Sequence, residues 1–168
     1  MRVIRFFRKT LIVLVAVYAA WMALGVVMVR LFRRDRKLLR FLTPYNNVTR
    51  TFAGKPGSPF ALLEHVGRRS GKHYAAPLVA TTYGDGLLLM LVYGPRTDWY
   101  RNVTASGSCT IHWQGKEYAL ERPELIEGAK AVNAWAPLLR PMLWAGGIQQ
   151  YVWLHKHDES APNVAASR

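Results

Sequence analysis

The fold is decided by residues 60–122, which read FALLEHVGRRSGKHYAAPLVATTYGDGLLLMLVYGPRTDWYRNVTASGSCTIHWQGKEYALER. Residues 60–66 and 73–83 are short runs rich in β-forming residues, and a glycine-rich basic turn separates them. Asp85-Gly86 is a strong hairpin signal, and the continuous apolar run 87–93 that follows it is typical of a strand buried on both faces. This stretch therefore predicts an antiparallel β-structure.

The elements that follow add strands and short helices to this core. Gln114-Gly115 predicts a second hairpin between two alternating runs, and Thr97 or Asp98 is a plausible N-cap for a helix reaching about Ala105. Residues 127–135 also favour a helix. Five or six short antiparallel strands avoid exposed edges most simply by closing, so we predict an α+β fold built on a small closed or half-closed β-barrel with flanking helices.

Length and charge limit the functional classes. The 168 residues suit one hydrophobic core, and a hydrophobic content of 51% excludes a wholly disordered chain. The net charge of +13 is uneven, because residues 1–40 carry ten basic side chains and one acidic side chain. Because these basic residues flank one apolar segment, we expect them to contact lipid head groups and not nucleic acid. Cys109 is the only cysteine, which excludes an intrachain disulfide, and the five histidines show no metal-ligand pattern.

Residues 11–29 contain no charged residue and predict a membrane helix. Nineteen helical residues extend for about 28 Å, close to the thickness of the hydrocarbon layer. A cleaved signal peptide is the rival interpretation, but the run is long and ends in the basic sequence VRLFRRDRKLLR at 29–40. A buried helical hairpin or an interfacial helix would also account for an apolar run of this length.

The domain boundaries follow from this segment. We predict a membrane anchor over residues 1–43, a barrel domain over 44–157 and a disordered tail over 158–168, with Thr43-Pro44 ending the N-terminal helix. Six basic residues follow the apolar run against four before it, a weak preference for placing the barrel on the cytoplasmic side of the cell membrane. Residues 31–42 have helical apolar spacing among basic residues, which suits an anionic lipid surface.

Two short motifs carry the chemistry. Gly67-Arg68-Arg69-Ser70-Gly71-Lys72 joins two strands, and its backbone N–H groups, its hydroxyl and its three cations can bind an anion, although it is not a P-loop and a solvated basic turn is the alternative. Trp99 and Asn102 are helical neighbours that can cradle an aromatic ring, while the alternative is that Trp99 belongs to the core face of the helix.

Taken in order, these motifs resemble the deazaflavin (F420)-dependent nitroreductase and quinone reductase family. The similarity covers roughly residues 60–122: the glycine–basic turn, the Pro77-Leu78 pair, the Asp-Gly hairpin and the Trp-Tyr-x-Asn helix opening at Trp99. The resemblance implies a split β-barrel of the flavin-reductase type and coenzyme F420 as the cofactor. The sequence departs from the family in the short connection 94–98, where family members often have a longer loop with Lys-Gly-Gly.

The resemblance also implies roles for individual residues. It assigns the cofactor's phosphate and acidic tail to the turn residues Arg68, Arg69, Ser70 and Lys72. It places the ring beside strand, strand-end and helix residues, namely Pro77, Val92, Tyr93, Gly94, Trp99 and Asn102. Trp144 and Tyr151 belong to the aromatic C-terminal segment, which would form the acceptor wall or a membrane-facing lid. It identifies no catalytic acid.

The predicted function is therefore a membrane-associated oxidoreductase that transfers a hydride from reduced F420 to a quinone-like or nitroaromatic acceptor. Its expected partners are the lipid bilayer and a small hydrophobic acceptor such as a quinone, and a homodimer is possible. The alternative is a non-catalytic lipid- or fatty-acid-binding protein on the same barrel. FMN in place of F420, or no cofactor, is the corresponding alternative for the ligand.

Overall fold

The computed structural model describes residues 2–34 and 43–157 and assigns them five helices and six strands. The helices are α1 (Arg2–Arg34), α2 (Thr43–Phe52), α3 (Asp98–Ser106), α4 (Ala129–Asn133) and α5 (Arg140–Ala145). The strands are β1 (Phe60–Val66), β2 (His73–Tyr83), β3 (Gly86–Met90), β4 (Ser108–Trp113), β5 (Lys116–Glu127) and β6 (Gln150–Lys156).

The six strands form a closed barrel in the order β1-β2-β3-β6-β5-β4, and every neighbouring pair is antiparallel. Pairing of β1 with β4 closes the ring, so the backbone groups of each strand find partners on both sides. The predicted small antiparallel barrel, preceded by an apolar helix, is confirmed. β6, the last strand of the described residues, lies between β3 and β5.

Alternating burial along the strands creates two hydrophobic clusters. The first, the barrel core, fills the interior with residues such as Leu63, Leu87 and Leu154. The second, the outer core, lies on the opposite face of β3 and covers it with α4, α5 and the loop before β6. Its buried residues are Leu88, Met90, Ala131, Trp135, Leu143, Ile148 and Tyr151. All five residues of β3 are buried, as its continuous apolar run predicts.

Gly86 shows why the β3–β6 pairing needs glycine. A Cβ atom at this position would lie 1.9 Å from the carbonyl oxygen of Leu154 on β6, which no side chain can accommodate. The same Asp-Gly pair that marks the hairpin in the sequence therefore also permits close approach of the two backbones.

Three predicted boundaries were wrong. Thr43-Pro44 begins α2 and does not mark a helix end, because proline is tolerated in the first turn, where its missing N–H has no helical partner. β3 ends at Met90, so Val92 and Tyr93 lie in a turn and not at a strand end. β5 extends to Glu127, which reduces the helix predicted over 127–135 to α4.

α1 is a 33-residue helix whose section Phe6–Leu31, with a mean hydropathy of 2.5, is long and apolar enough to cross a membrane. Its first part is exposed, while a stripe of half-buried residues begins at Tyr18 and continues through Gly25 to Val29, where the helix contacts α5. Most of the predicted lipid-surface stretch 31–42 and the predicted tail 158–168 lie outside the described residues.

Candidate functional site

A pocket of about 640 Å³ opens between the β1–β2 turn and the start of α3. The turn contributes Gly67 to Ser70, β2 contributes Tyr74 to Ala76, and α3 with its preceding residue contributes Thr97, Asp98, Trp99 and Asn102. This volume lies within the range of small-molecule and cofactor sites. The two motifs singled out in the sequence, about 30 residues apart, therefore meet at one site.

The local shape of the turn depends on its two glycines. A Cβ atom at Gly67 would lie 2.6 Å from the Ser70 hydroxyl and 2.7 Å from the Tyr74 ring, so the turn leaves no room for one. Gly71 has a φ of +65°, a left-handed conformation that favours glycine, and its N–H donates to the Gly67 carbonyl over 2.8 Å. The Gly67 N–H donates to the Lys72 carbonyl, which closes the turn.

Arg68 joins this turn to α3. Its backbone N–H and its Nη1 both donate to Asn102 Oδ1, over 3.2 and 2.7 Å, and its guanidinium also contacts Asp98 Oδ1 at 3.2 Å. The Arg68 side chain is 20% exposed, whereas that of Asp98 is 83% exposed. Arg68, which was predicted to hold the phosphate or acidic tail of a cofactor, thus joins two walls of the pocket.

Asn102 fixes the protonation state of His65. Both partners of Asn102 Oδ1 are donors, so its Nδ2 must be the atom that faces His65 Nδ1 at 3.1 Å. Because Nδ2 can only donate, His65 Nδ1 accepts, and the ring is neutral with its proton on Nε2. Burial lowers the pKa of His65, outweighing its hydrogen bond at Val66 and the charge of Asp98, which agrees with a neutral ring.

Arg69 differs from Arg68 because it is exposed and has no acidic partner among the residues that the structure describes. The same is true of Lys72, which lies on the turn but outside the pocket lining. The backbone N–H groups of Arg69 and Ser70 also lack a protein acceptor within that part of the chain. Two cations and two N–H groups of this turn are therefore available for an anionic ligand.

Trp99 belongs both to the core face of its helix and to the pocket lining. The side chain is half-buried against the barrel core and meets Tyr100 edge to face at 6.0 Å, yet it also lines the pocket. It therefore presents part of its indole surface to the cavity while the remainder is fixed by packing, as a rigid stacking surface requires.

The other residues predicted beside the ring do not line this pocket. Pro77 lies opposite Leu62 in the β1–β2 ladder, and Val92 packs against the outer core. Tyr93 follows Val92 in the same turn, and Gly94 continues it with a φ of +76°. The resemblance brought Val92, Tyr93 and Gly94 to the ring through a strand end that the structure replaces with a turn.

Tyr151 and Trp144 do not form a substrate wall in this pocket. Tyr151 is fully buried in the outer core, where its hydroxyl donates to the Ile148 carbonyl over 2.8 Å and burial raises its pKa to about 12. Trp144 is 75% exposed on α5 and does not line this pocket. Aromatic content alone did not distinguish a core residue from a surface residue in this segment.

His65, Tyr74 and Asp98 are pocket residues that the sequence did not identify as such. A signal for His65 existed, because Ala61, Leu63 and His65 alternate along β1 and all three are buried. Its ring stacks on Tyr74, with centroids 5.7 Å apart, and Tyr74 in turn contacts the Ser70 hydroxyl at 3.1 Å. No group of three or more potential metal ligands occurs among the described residues.

The fold and the pocket together define the class of small antiparallel β-barrel proteins with a pocket of cofactor size. Within this class, residues 37–142, more than half of the chain, match the model of the F420H(2)-dependent quinone reductase family. The chain belongs to this family, and it is an F420H2-dependent reductase.

Solved structures give weaker likenesses. One, described as an F420-H2 dependent reductase (FDR-A), is 20% identical with a TM-score of 0.41, over 58% of this chain and 94% of that chain. Another, described as a domain-swapped dimer, has the same identity and TM-score over 58% of this chain and 80% of the other. Both scores are low, so family membership rests on the sequence match. A search of curated proteins found no match.

Proposed function

We propose that this protein is a membrane-anchored reductase that passes a hydride from reduced F420 to a lipid-soluble, quinone-like or nitroaromatic acceptor. The cofactor site in this proposal is the pocket between the β1–β2 turn and α3. The observation that carries it is that two adjacent arginines differ in their partners. Arg68 is hydrogen-bonded to Asn102 across the pocket, whereas Arg69 has no acidic partner in the described part of the chain.

The pocket residues fit the cofactor's chemistry. F420 carries a phosphate and an acidic tail, and Arg69, Lys72 and the N–H groups of Arg69 and Ser70 are the donors such groups need. Trp99 offers an aromatic surface for the ring. When bound, the reduced cofactor supplies the hydride. The chain's own task is to hold the ring, keep water from it and leave one face open to the acceptor.

The anchor in this proposal is α1, within residues 1–43, and the barrel domain 44–157 faces the cytoplasm. The support is the apolar helix Phe6–Leu31 and the basic residues that flank it, six after the uncharged run against four before. A quinone dissolves in the bilayer, so an anchored reductase works where its acceptor is concentrated. A homodimer stays a prediction without structural support.

Titration with F420, followed through quenching of the cofactor's fluorescence, tests the site. The double variant Arg69→Gln with Lys72→Gln should weaken binding roughly 100-fold or more, since each lost charge-assisted bond contributes about 1.5–3 kcal/mol. The matched control is Lys116→Gln with Lys130→Gln, which removes the same charge from exposed positions elsewhere on the domain and should bind normally.

Two results would contradict the proposal. Absence of binding at tens of micromolar F420 removes the redox function and favours the lipid-binding alternative, which co-purified lipid would support. Equal weakening in the two double variants would show that net charge, and not the turn, governs affinity. Oxidation of F420H2 by a soluble naphthoquinone, lost in the turn variant and kept in the control, would tie turnover to the same site.

A further inference from the structure

α1 is fastened to the barrel domain by hydrogen bonds to carbonyl groups of one segment. Tyr18 donates through its hydroxyl to the Leu138 carbonyl over 2.6 Å, and Arg30 donates to the Ala145 carbonyl over 3.1 Å. Arg33 donates to the Gly147 carbonyl. The helix and the segment therefore run in the same direction, side by side.

The position of Tyr18 sets the depth of this segment. Tyr18 lies within the uncharged run 11–29. Along the helix axis it is about 16 Å from Val29, the last residue of that run. If a bilayer surrounds that run, it must also surround Leu138, which is hydrogen-bonded to Tyr18. The same alignment places Ala145 and Gly147 beside the arginines, at the level of the lipid head groups.

The composition of the segment suits this depth. Residues 136–148 read APLLRPMLWAGGI, with Arg140 as the one charged residue. The Arg140 guanidinium donates to the carbonyls of Trp135 and Asn133 over 2.9 and 2.8 Å, which turns its charge toward the protein. Leu138 and Trp144 are 69% and 75% exposed, so the segment presents apolar side chains outward.

Several of its backbone groups are also hydrogen-bonded within the protein. Hydrocarbon offers no hydrogen-bond partners, so each such bond lowers the cost of embedding the segment. The N–H groups of Leu139, Leu143, Gly146 and Ile148 bond within the segment. The carbonyls of Leu138, Ala145 and Gly147 accept from α1. Close packing supports the pairing, because a Cβ at Gly25 would lie 2.7 Å from the Met142 sulfur.

We infer that residues 136–148 are a second membrane element, inserted into one leaflet beside α1. Leu138 lies in the hydrocarbon and Trp144 at the interface, where tryptophan is enriched. This inference rests on the anchored state proposed above. It adds that the barrel domain is held against the bilayer by two elements in a fixed orientation, and does not hang from a flexible tether.

Environment-sensitive labels on the full-length protein in lipid vesicles test the inference. Single cysteines replace Leu14, Leu138, Trp144 and Glu117 in a Cys109→Ala background, and each carries the fluorophore NBD. Leu14 reports on α1, and Glu117, on the exposed β4–β5 hairpin, is the aqueous control. Far-UV circular dichroism checks that each variant keeps the barrel.

The expected result is an order of environments. Labels at positions 14 and 138 should show strongly blue-shifted emission, position 144 an intermediate shift, and position 117 emission as in water. Nitroxide lipids should quench position 138 best from mid-chain and position 144 best from near the head group.

Three results would overturn the inference. A polar environment at 138 and 144 beside an apolar position 14 leaves the anchor intact and removes the second element. A polar position 14 removes the anchor itself. An apolar signal at 138 and 144 that disappears when the protein is diluted in lipid would show that a second copy, and not lipid, covers this face.

Discussion

The pocket side and the outer-core side of the barrel wall differ in polarity and in how closely they are packed. At the pocket, Arg68, Asn102 and His65 form a polar network around an open cavity, and the side-chain amide of Asn102 has partners for both its oxygen and its nitrogen. At the outer core, Trp135 and Tyr151 lie 6.0 Å apart within closed apolar packing. The difference indicates that the pocket side is organised for a ligand, while the outer core provides stability and the surface on which α1 docks.

A cavity in the outer core should have the largest effect on stability. Trp135→Ala should lower the free energy of unfolding by roughly 3–5 kcal/mol, because a buried aromatic side chain is replaced by a cavity. Urea unfolding followed by far-UV circular dichroism measures this loss. F420 affinity of the folded fraction should be unchanged, and a parallel loss of affinity would show that the two sides are energetically coupled.

Asn102→Ala tests the polar side. The substitution removes the acceptor of Arg68 and the donor to His65, so the free energy of unfolding should fall by roughly 2–4 kcal/mol, and F420 binding should weaken with it. Chemical unfolding and F420 titration of the same preparation give both values. Loss of stability with normal binding would mean that the network supports the barrel and not the ligand site. Thr104→Ala, an exposed change on the same helix, is the control.

Asp98→Asn should separate charge from structure at the pocket mouth. The Asp98 carboxylate is largely exposed, so its ion pair with Arg68 should contribute less than about 1 kcal/mol to stability. Removing a negative charge from the pocket should raise affinity for the anionic cofactor roughly two- to fivefold. Reduced affinity in this variant would show that Asp98 positions Arg68 for binding. Glu117→Gln, a carboxylate outside the pocket, should leave affinity unchanged.

The smallest expected effect is the pH dependence contributed by His65. Its folded-state pKa is lowered, mainly by burial, so the unfolded chain takes up a proton near 6.5 before the folded chain does. Stability from this residue is therefore complete above pH 6.5 and decreases as the pH falls below that value. His65→Asn, whose amide oxygen can accept the Asn102 bond, should unfold in urea with a weaker dependence between about pH 7.5 and 5.5. Identical pH dependence in the two proteins would contradict the neutral, buried ring.

Much of the fold followed from local pattern. The apolar run 87–93, the Asp85-Gly86 and Gln114-Gly115 hairpins and the alternating runs on either side of Gln114-Gly115 were enough to predict an antiparallel barrel, which the structure confirms. The exact strand ends did not follow. Val92 has the same apolar character as Leu89, yet β3 ends before it and Val92 packs against the outer core from a turn.

The sequence predicted which two motifs form the site but not which of their residues contact each other. Two adjacent arginines show why. Arg68 and Arg69 are chemically identical in the sequence, and what distinguishes them is whether Asn102 lies within reach, a contact between residues 34 positions apart. The burial of Tyr151 in the outer core did not follow from the sequence for the same reason, because an aromatic residue on a strand can face either way until its partners are known. The sequence shows which side chains can bind an anion or stack on a ring. Which residues each of them contacts depends on the closed barrel.

The position of β6 has a consequence for synthesis of the protein. β6 is the strand that joins β3 to β5, and it ends at Lys156, so a nascent chain lacking it is an open sheet with two unpaired edges. Such edges can recruit strands from other chains, and the hazard lasts until Gln150–Lys156 have left the ribosome. C-terminal truncations that reach this strand should therefore cause aggregation rather than a milder loss of stability, even though they leave every residue of the pocket in place.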